Sequence, residues 1–287
     1  MRRVVLSGGG GFVGKSLRRH LDGSGISYTT VSHNRILESA TNIEACENLF
    51  VELKSFKPDT FIHLAWGVHA KNWRIAESQE EFIEASSKFL QLLRRLPIEQ
   101  TIGIGTCLEY EPSSLALSEN SLENKSLQYT RDKLTMKRAF QEEAHLNGYV
   151  TTWVRLFFIY GPNDLPTRLI PHILDLTVQN LDIVLENPYM ELDYLHVDDV
   201  SSALATIALG RFGGTINVGS GNPITAFEIA EHLHQSAKSE SKIIVDSKSD
   251  FPKTGFVADN SLLKSLGWEL QIPMEDGLRQ LQENTFS

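Results

Sequence analysis

Cysteine is nearly missing. The chain has two, Cys46 and Cys107, which cannot build a disulfide framework and lack the spacing of a zinc site. Basic charge is also short, with 27 Lys plus Arg against 36 Asp plus Glu and a formal net charge of −9. Phosphate backbones and anionic bilayers need a basic face, so neither nucleic acid nor a membrane is expected as a partner. No apolar run approaches the ~18 residues of a bilayer-crossing helix. Met1-Arg2-Arg3 leads only into Val4-Val5-Leu6 before the glycines begin, far short of a signal-peptide core. These absences exclude a disulfide scaffold, a coiled coil, collagen and a membrane protein, and a soluble, cytoplasmic protein is expected. What is present is ordinary globular material: 41% of the 287 residues are hydrophobic and 22% charged, enough to bury a substantial core.

Short β-rich runs alternate with long amphipathic ones over the first two thirds of the chain, the pattern of βαβ units and a parallel sheet. Strands are expected at 3–7, 28–32, 60–64, 101–105 and 151–158, with helices beginning near Phe12, Ile43, Ala76 and Thr130. Phe82, Ala85, Phe89, Leu92, Leu93 and Leu96 recur at helical spacing until Pro97 stops them. After Tyr160-Gly161-Pro162 the prolines cluster, at Pro162, Pro166, Pro171 and Pro188. Short strands are expected at 182–185, 215–218 and 243–245. The fold class is therefore α/β, with a sheet-forming domain over 1–160 and a smaller α/β subdomain over 161–287 from which segments return to the first sheet.

Ser7-Gly8-Gly9-Gly10-Gly11-Phe12-Val13-Gly14 follows the first strand and opens the first helix. Glycines at that place let the backbone turn tightly and approach a pyrophosphate whose charge rests on the helix N-terminus. A Rossmann-like, doubly wound sheet that binds a dinucleotide is the consequence. The segment after the second strand, Ser32-His33-Asn34-Arg35, holds no acidic residue for an adenosine ribose. Arg35 can pair with a 2′-phosphate instead, so NADP(H) is favoured over NAD(H). In Tyr129-Thr130-Arg131-Asp132-Lys133 the phenol and the amine are four residues apart, on one helix face. A lysine ammonium and an oxidised nicotinamide would draw the tyrosine toward a useful acidity, and Thr106, closing the fourth strand, offers a hydroxyl to the same substrate oxygen.

With these motifs in order the chain resembles the extended short-chain dehydrogenase/reductase family, in its nucleotide-sugar branch. The likeness extends over His63-Leu64-Ala65, Thr106 to Tyr110, Arg155-Leu156-Phe157-Phe158-Ile159-Tyr160-Gly161-Pro162, Asp193 to Val200, Asn217-Val218-Gly219-Ser220-Gly221 and Leu266-Gly267-Trp268. It implies that Gly8, Gly11, Phe12 and Val13 hold the pyrophosphate and that Asn42 and Ile43 flank the adenine. Leu64, Ala65 and Phe157 would line the cofactor together with Tyr129 and Lys133, and Thr106, Tyr129 and Lys133 would be the catalytic set. Trp66, Thr106, Cys107, Phe158 and Arg168 would meet the substrate, and the loop from Trp66 to Trp73 after the third strand, which carries His69, would face the sugar. His196, Asp198 and Asp199 suit helix capping rather than a metal. A homodimer through the helices at 76–96 and 130–147 is expected on the resemblance alone, since their outer faces carry many charges.

Dehydratases and decarboxylases of this type carry acidic residues after the threonine, where this chain has Cys107 and Leu108. Nothing near Cys107 in the sequence would lower its pKa, so core packing is expected of it rather than nucleophilic chemistry, beside its place among the substrate contacts. Reduction of a nucleotide-activated keto sugar by NADPH, as in an NDP-4-keto-6-deoxyhexose 4-reductase, is expected. The alternatives are a 4-epimerase holding NAD tightly and a reductase of a non-nucleotide carbonyl. The chain departs from the family's pattern at Leu192, where an arginine usually grips the diphosphate, at Phe158, where epimerases carry asparagine, and at Ala85, another usual asparagine. Arg168, or more weakly Lys253, could replace the missing diphosphate contact.

Overall fold

Hydrophobic strands covered on both faces organise the molecule, a computed structural model that describes residues 2–67, 79–245 and 254–286. β1 (Arg3–Ser7), β2 (Ser27–Val31), β3 (Thr60–His63), β4 (Gln100–Thr106) and β5 (Val150–Leu156) run parallel in the order β2-β1-β3-β4-β5. Side chains alternate across the sheet. Val4 and Leu6 pack on one face with α1 (Phe12–Gly23) and α7 (Val197–Gly210), through Leu17, Leu21, Val200 and Leu204. Val5 turns to the other face, toward α3 (Ile43–Phe56), α4 (Glu80–Leu93) and α5 (Gln128–Asn147), where Leu53, Phe89 and Phe140 gather. β2 lies on one side of β1 and β3 on the other. The chain therefore parts at the carboxyl ends of β1 and β3, where doubly wound sheets open a crevice for ligands.

Two expectations are revised. A further helix, α2 (His33–Thr41), precedes α3, and Ser32 caps it by accepting from the Arg35 amide at 3.2 Å. The expected strand at 151–158 breaks at Phe157. The next piece, β6 (Phe158–Tyr160), leaves the central sheet and pairs in parallel with β8 (Leu192–His196). The strands expected at 182–185 and 243–245 are present and belong together: β11 (Ile243–Val245) pairs in parallel with β7 (Ile183–Leu185). The third expected helix start, Ala76, lies outside the described residues.

The later chain divides its loyalties. β9 (Gly214–Val218) returns to the edge of the central sheet beside β5. β10 (Pro223–Ile224) completes the small sheet against β8. α6 (Leu169–Val178), α8 (Ala226–Ala237) and α10 (Met274–Phe286) form a separate apolar cluster with β7, through Ile173, Ile229, Leu233 and Leu278. Among the described residues no helix is long and apolar enough to cross a membrane.

Candidate active site

The turn after β1 is shaped by what a side chain would strike. Gly8 has φ +72°, and a Cβ there would come 2.6 Å from the Ala65 nitrogen, so only glycine lets the end of β3 approach so closely. The amide of Gly11 donates back to the Gly8 carbonyl at 3.0 Å, while the space beyond Gly10 is open. α1 then begins at Phe12 with no side-chain cap and no acidic residue in its first turn. The helices behind Ser32, Asn42 and Thr225 are each capped by a side-chain oxygen. The first-turn N–H groups of Phe12 and Val13, at the positive end of α1, are thus left for an outside anion. The end of β3 closes onto this turn: the Leu64 amide donates to the Ser7 carbonyl at 3.2 Å and the Ala65 amide to the Ser7 hydroxyl at 3.3 Å. This open cradle and uncapped terminus fit a dinucleotide pyrophosphate.

The adenosine end is arranged differently from expectation. The Arg35 guanidinium bonds both oxygens of Glu52, at 3.3 and 2.7 Å, so a carboxylate already fills the fork assigned to a 2′-phosphate. Asn42 closes α2 and caps α3, accepting from the Ala45 amide at 3.1 Å. Ile43 beside it is 84% exposed.

The acid–base corner lies two strands away. Thr106 ends β4 and caps a single helical turn, Cys107–Glu109, by accepting from the Leu108 amide at 3.3 Å. α5 brings Tyr129 and Lys133 to the same place, one turn apart, with the Tyr129 phenol hydrogen-bonded to the Thr106 hydroxyl. Lys133 donates to the Ile104 carbonyl at 2.8 Å and sits 3.8 Å above the Trp66 ring. Trp66 also meets Tyr129 edge-on, at 6.2 Å between centroids. Burial pushes the Lys133 amine down to about 7, opposed by the charge of Glu109. The phenol moves the other way from expectation. Burial raises Tyr129, with Glu109 and Cys107 adding to it and Arg168 and Thr106 pulling back. The ammonium is turned to a carbonyl and an indole face, so lowering the phenol requires the further positive charge of an oxidised nicotinamide.

Around this corner the wall is apolar. Leu108, Phe158 and Phe256 are partly buried together, and the Phe158 ring lies 5.4 Å from Tyr194 and 6.3 Å from Phe256. Phe157, expected at the cofactor, is instead enclosed with Tyr110, Leu117 and Ala258, and Cys107 lies with them in the core as its packing reading had it, not at an open substrate contact. Burial, reinforced by Asp193, raises the Cys107 thiol, so it is neither a nucleophile nor an open contact. Arg168 pairs with Asp164 at 3.4 Å and its charge reaches Tyr129 and Tyr194. His69, Trp73 and Lys253 lie outside the described residues. His196 caps α7 by accepting from the Asp198 amide at 3.3 Å, Asp198 takes the Ser16 hydroxyl at 2.5 Å, and Asp199 takes the Gln271 and Ile272 amides. Among the described residues no group of three potential ligands could hold a metal ion.

One constellation was not foreseen. The fully buried carboxylate of Glu109 receives the Arg155 guanidinium at 2.7 Å, the Trp153 indole N–H at 3.0 and 3.2 Å and the Thr106 amide at 3.0 Å. The far end of Arg155 bonds Glu123 at 2.7 Å, which Lys137 also holds at 3.0 Å. No local sequence signal marked it: only the register of β4 and β5 sets Gly103 and Gly105 opposite Trp153 and Arg155.

A glycine cradle at the switch point of a doubly wound sheet, facing a Thr–Tyr–Lys corner across the strand ends, defines a dinucleotide-dependent oxidoreductase of the extended short-chain dehydrogenase/reductase type. The profile of the NAD dependent epimerase/dehydratase family matches residues 4–219, and the chain belongs to that family. CDP-abequose synthase of Salmonella typhimurium is 24% identical over 302 residues, spanning 97% of this chain and 96% of that protein. Among solved structures, RMD from Pseudomonas aeruginosa complexed with NADPH superposes with a TM-score of 0.83 at 20% identity, covering 99% of each chain. UDP-glucose 4-epimerase of Thermus thermophilus in complex with NAD reaches 0.82 at 18% identity, again over 99% of each chain. These structural likenesses show the fold.

Proposed function

We propose that the enzyme reduces a keto group of a nucleotide-activated sugar with NADPH, the substrate being an NDP-4-keto-6-deoxyhexose. The observation that carries this reading is the apolar surround of the Tyr129 phenol: Cys107 and Leu108 follow Thr106, and Phe158 and Phe256 line the wall beside them. Ketone reduction needs one hydride from the dinucleotide and one proton, and a single phenol can supply that proton. Elimination of water needs further acid–base groups at neighbouring carbons, and a thiol raised by burial and a leucine cannot act as such. The bound dinucleotide supplies the hydride. Tyr129 gives its proton to the oxygen that becomes the alcohol, and Thr106 hydrogen-bonds that oxygen and holds it against the phenol. Lys133 steadies the phenolate that remains. Phe12 and Val13 amides and the Gly8–Gly11 turn hold the pyrophosphate. Arg168, released from Asp164, grips the sugar nucleotide's diphosphate in place of the arginine lost at Leu192. A relative whose name gives CDP-abequose as its product supports a nucleotide sugar, and a protein of the same fold, RMD, solved in complex with NADPH is consistent with that cofactor.

One observation favours a second reading. Arg35 is satisfied by Glu52 without a phosphate, an arrangement that also suits NAD, and hence an epimerase that retains its cofactor. The deciding experiment incubates the purified protein with NADPH and dTDP- or CDP-4-keto-6-deoxyglucose. The reductase consumes NADPH stoichiometrically and is isolated without NAD. Protein that arrives carrying stoichiometric NAD and interconverts UDP-sugars without added cofactor is the epimerase. Failure of every nucleoside diphosphate to raise the melting temperature points to a carbonyl substrate without a nucleotide.

A further inference from the structure

We propose that Glu109 is a positioning residue of the acid–base corner, its buried carboxylate fixing the backbone of Thr106 and serving as the buried anion of the Lys133 side chain. The proposal rests on the roles given above to Thr106, Tyr129 and Lys133. It begins with space. A Cβ at Gly103 would stand 2.6 Å from the Trp153 ring, and one at Gly105 would meet that ring at 2.8 Å and collide with the Glu109 carboxylate. The two glycines of β4 therefore clear a slot, and Trp153 and Arg155 of β5 fill it from the opposite side in register. Into this slot Glu109 turns back, accepting from the amide of Thr106 itself at 3.0 Å. The substrate-facing hydroxyl and the buried carboxylate are thus joined through one peptide unit.

Stability alone is a weak reason for such a pair. Moving a carboxylate and a guanidinium out of water costs several kcal/mol per ion, and well-packed apolar residues fold as well or better. Position is the better reason. The titratable groups felt by the Lys133 amine are Glu109, from the turn after β4, and His63, from β3. Tyr129 is its neighbour on its own helix. Asp132, also on α5, turns away to the Gln79 amide and the Gln128 side chain. His63 is buried and held neutral, its titration pushed down to about 3. Glu109 is then the anion that opposes the desolvation of Lys133. Tyr129 is faced by Glu109, Cys107 and Arg168, and there the same carboxylate keeps the phenol protonated, the state an acid needs before a reduction.

The test titrates the Lys133 amine by nitrogen NMR of the full chain labelled at lysine Nζ, with Lys133→Met fixing the assignment. In Glu109→Gln the midpoint falls by about one unit or more, the size of a lost charge–charge interaction in a partly buried site. In Glu109→Asp, where the charge stays and the reach shortens, the midpoint holds near that of the wild type. Should Glu109→Gln not fold, Glu109→Gln/Arg155→Met, in which neither slot residue is left as an unpaired charge, gives the same fall. With NADPH and dTDP-4-keto-6-deoxyglucose, the alkaline limb of the wild-type rate profile moves to lower pH in Glu109→Gln by the same shift. An unchanged midpoint in the folded neutral variants overturns the proposal. The titration needs no turnover, so a wild type that fails to consume NADPH indicts the substrate assignment and leaves this inference to be judged on the NMR result.

Discussion

The glycine turn and the acid–base corner sit on the same edge of one sheet and are built by opposite means. At the turn the decisive atoms are main-chain N–H groups, and the residues matter for the side chains they lack: Gly8 and Gly14 leave no room for a Cβ and Gly10 leaves open space. At the corner the decisive atoms are a phenol, a hydroxyl and an amine, held by a buried carboxylate whose guanidinium partner is 46 residues further along the chain. A backbone device is insensitive to pH and tolerant of its surface neighbours, yet it fails when a methyl group intrudes. A side-chain device tolerates small shifts of packing and fails when one ionisable atom is removed. The two regions should therefore respond to different substitutions and to different measurements.

The largest effect separates them at once. Tyr129→Phe removes the proton donor and leaves the turn untouched, so kcat for keto-sugar reduction should fall by roughly 10²–10⁴ while NADPH binding, followed by fluorescence titration, stays nearly constant. A variant with full turnover would remove Tyr129 as the acid. Gly8→Val is the converse. A branched side chain at φ +72°, aimed at an atom 2.6 Å away, should abolish dinucleotide binding and cost about 1–3 kcal/mol in urea unfolding. If Gly8→Val binds NADPH normally, the turn is not the cradle described.

The same contrast explains how much could be seen in the sequence. The turn is local: Gly8, Gly11 and Gly14 are close neighbours after a β-branched run, so their spacing carries the geometry. Tyr129 and Lys133 were legible because one helical turn joins them. The Glu109–Arg155 pair was not, because Glu109 stands three residues from Thr106 in sequence but acquires its meaning only from the register of β4 with β5. Cys107 was half legible: its position after Thr106 suggested the substrate, while the fold turns its sulfur inward against Tyr110 and Phe157. α2 was missed because no cap or periodicity was read in 33–41, and Asn42, placed beside the adenine by the resemblance, serves as the junction of two helices. The break at Phe157 was hidden because both halves of 151–158 are good strand sequence, and only pairing with β8 shows where the chain changes sheets.

Arg35 tests whether the turn's neighbourhood has a side-chain device of its own. If its guanidinium exchanges Glu52 for a 2′-phosphate, Arg35→Ala should weaken NADPH by roughly 10- to 100-fold, the range of a hydrogen bond to a charged group, and leave NADH nearly unaffected. Glu52→Gln should act in the opposite direction, tightening NADPH by freeing the fork. Equal changes for both cofactors in Arg35→Ala would show that the 2′ position is read elsewhere.

The smallest effect is thermodynamic and isolates the corner. Lys133 titrates near 7 in the folded protein against an ordinary 10.5. Between those values the unfolded chain binds a proton that the folded chain does not, so by linkage stability rises with pH across the window. Below it both states hold the proton and burial of the ammonium weighs fully against folding. Above it neither does, and that burden is gone. Between pH 7 and 8 one such group adds about 1 kcal/mol, because the folded amine is already half deprotonated at the start. Lys133→Met should remove this increment from the urea-unfolding profile, whereas Gly8→Ala, which changes no ionisable group, should lose stability by the same amount at both pH values. If the profile of Lys133→Met runs parallel to the wild type, the amine is charged throughout, and the difference between a backbone site indifferent to protons and a side-chain site governed by them disappears.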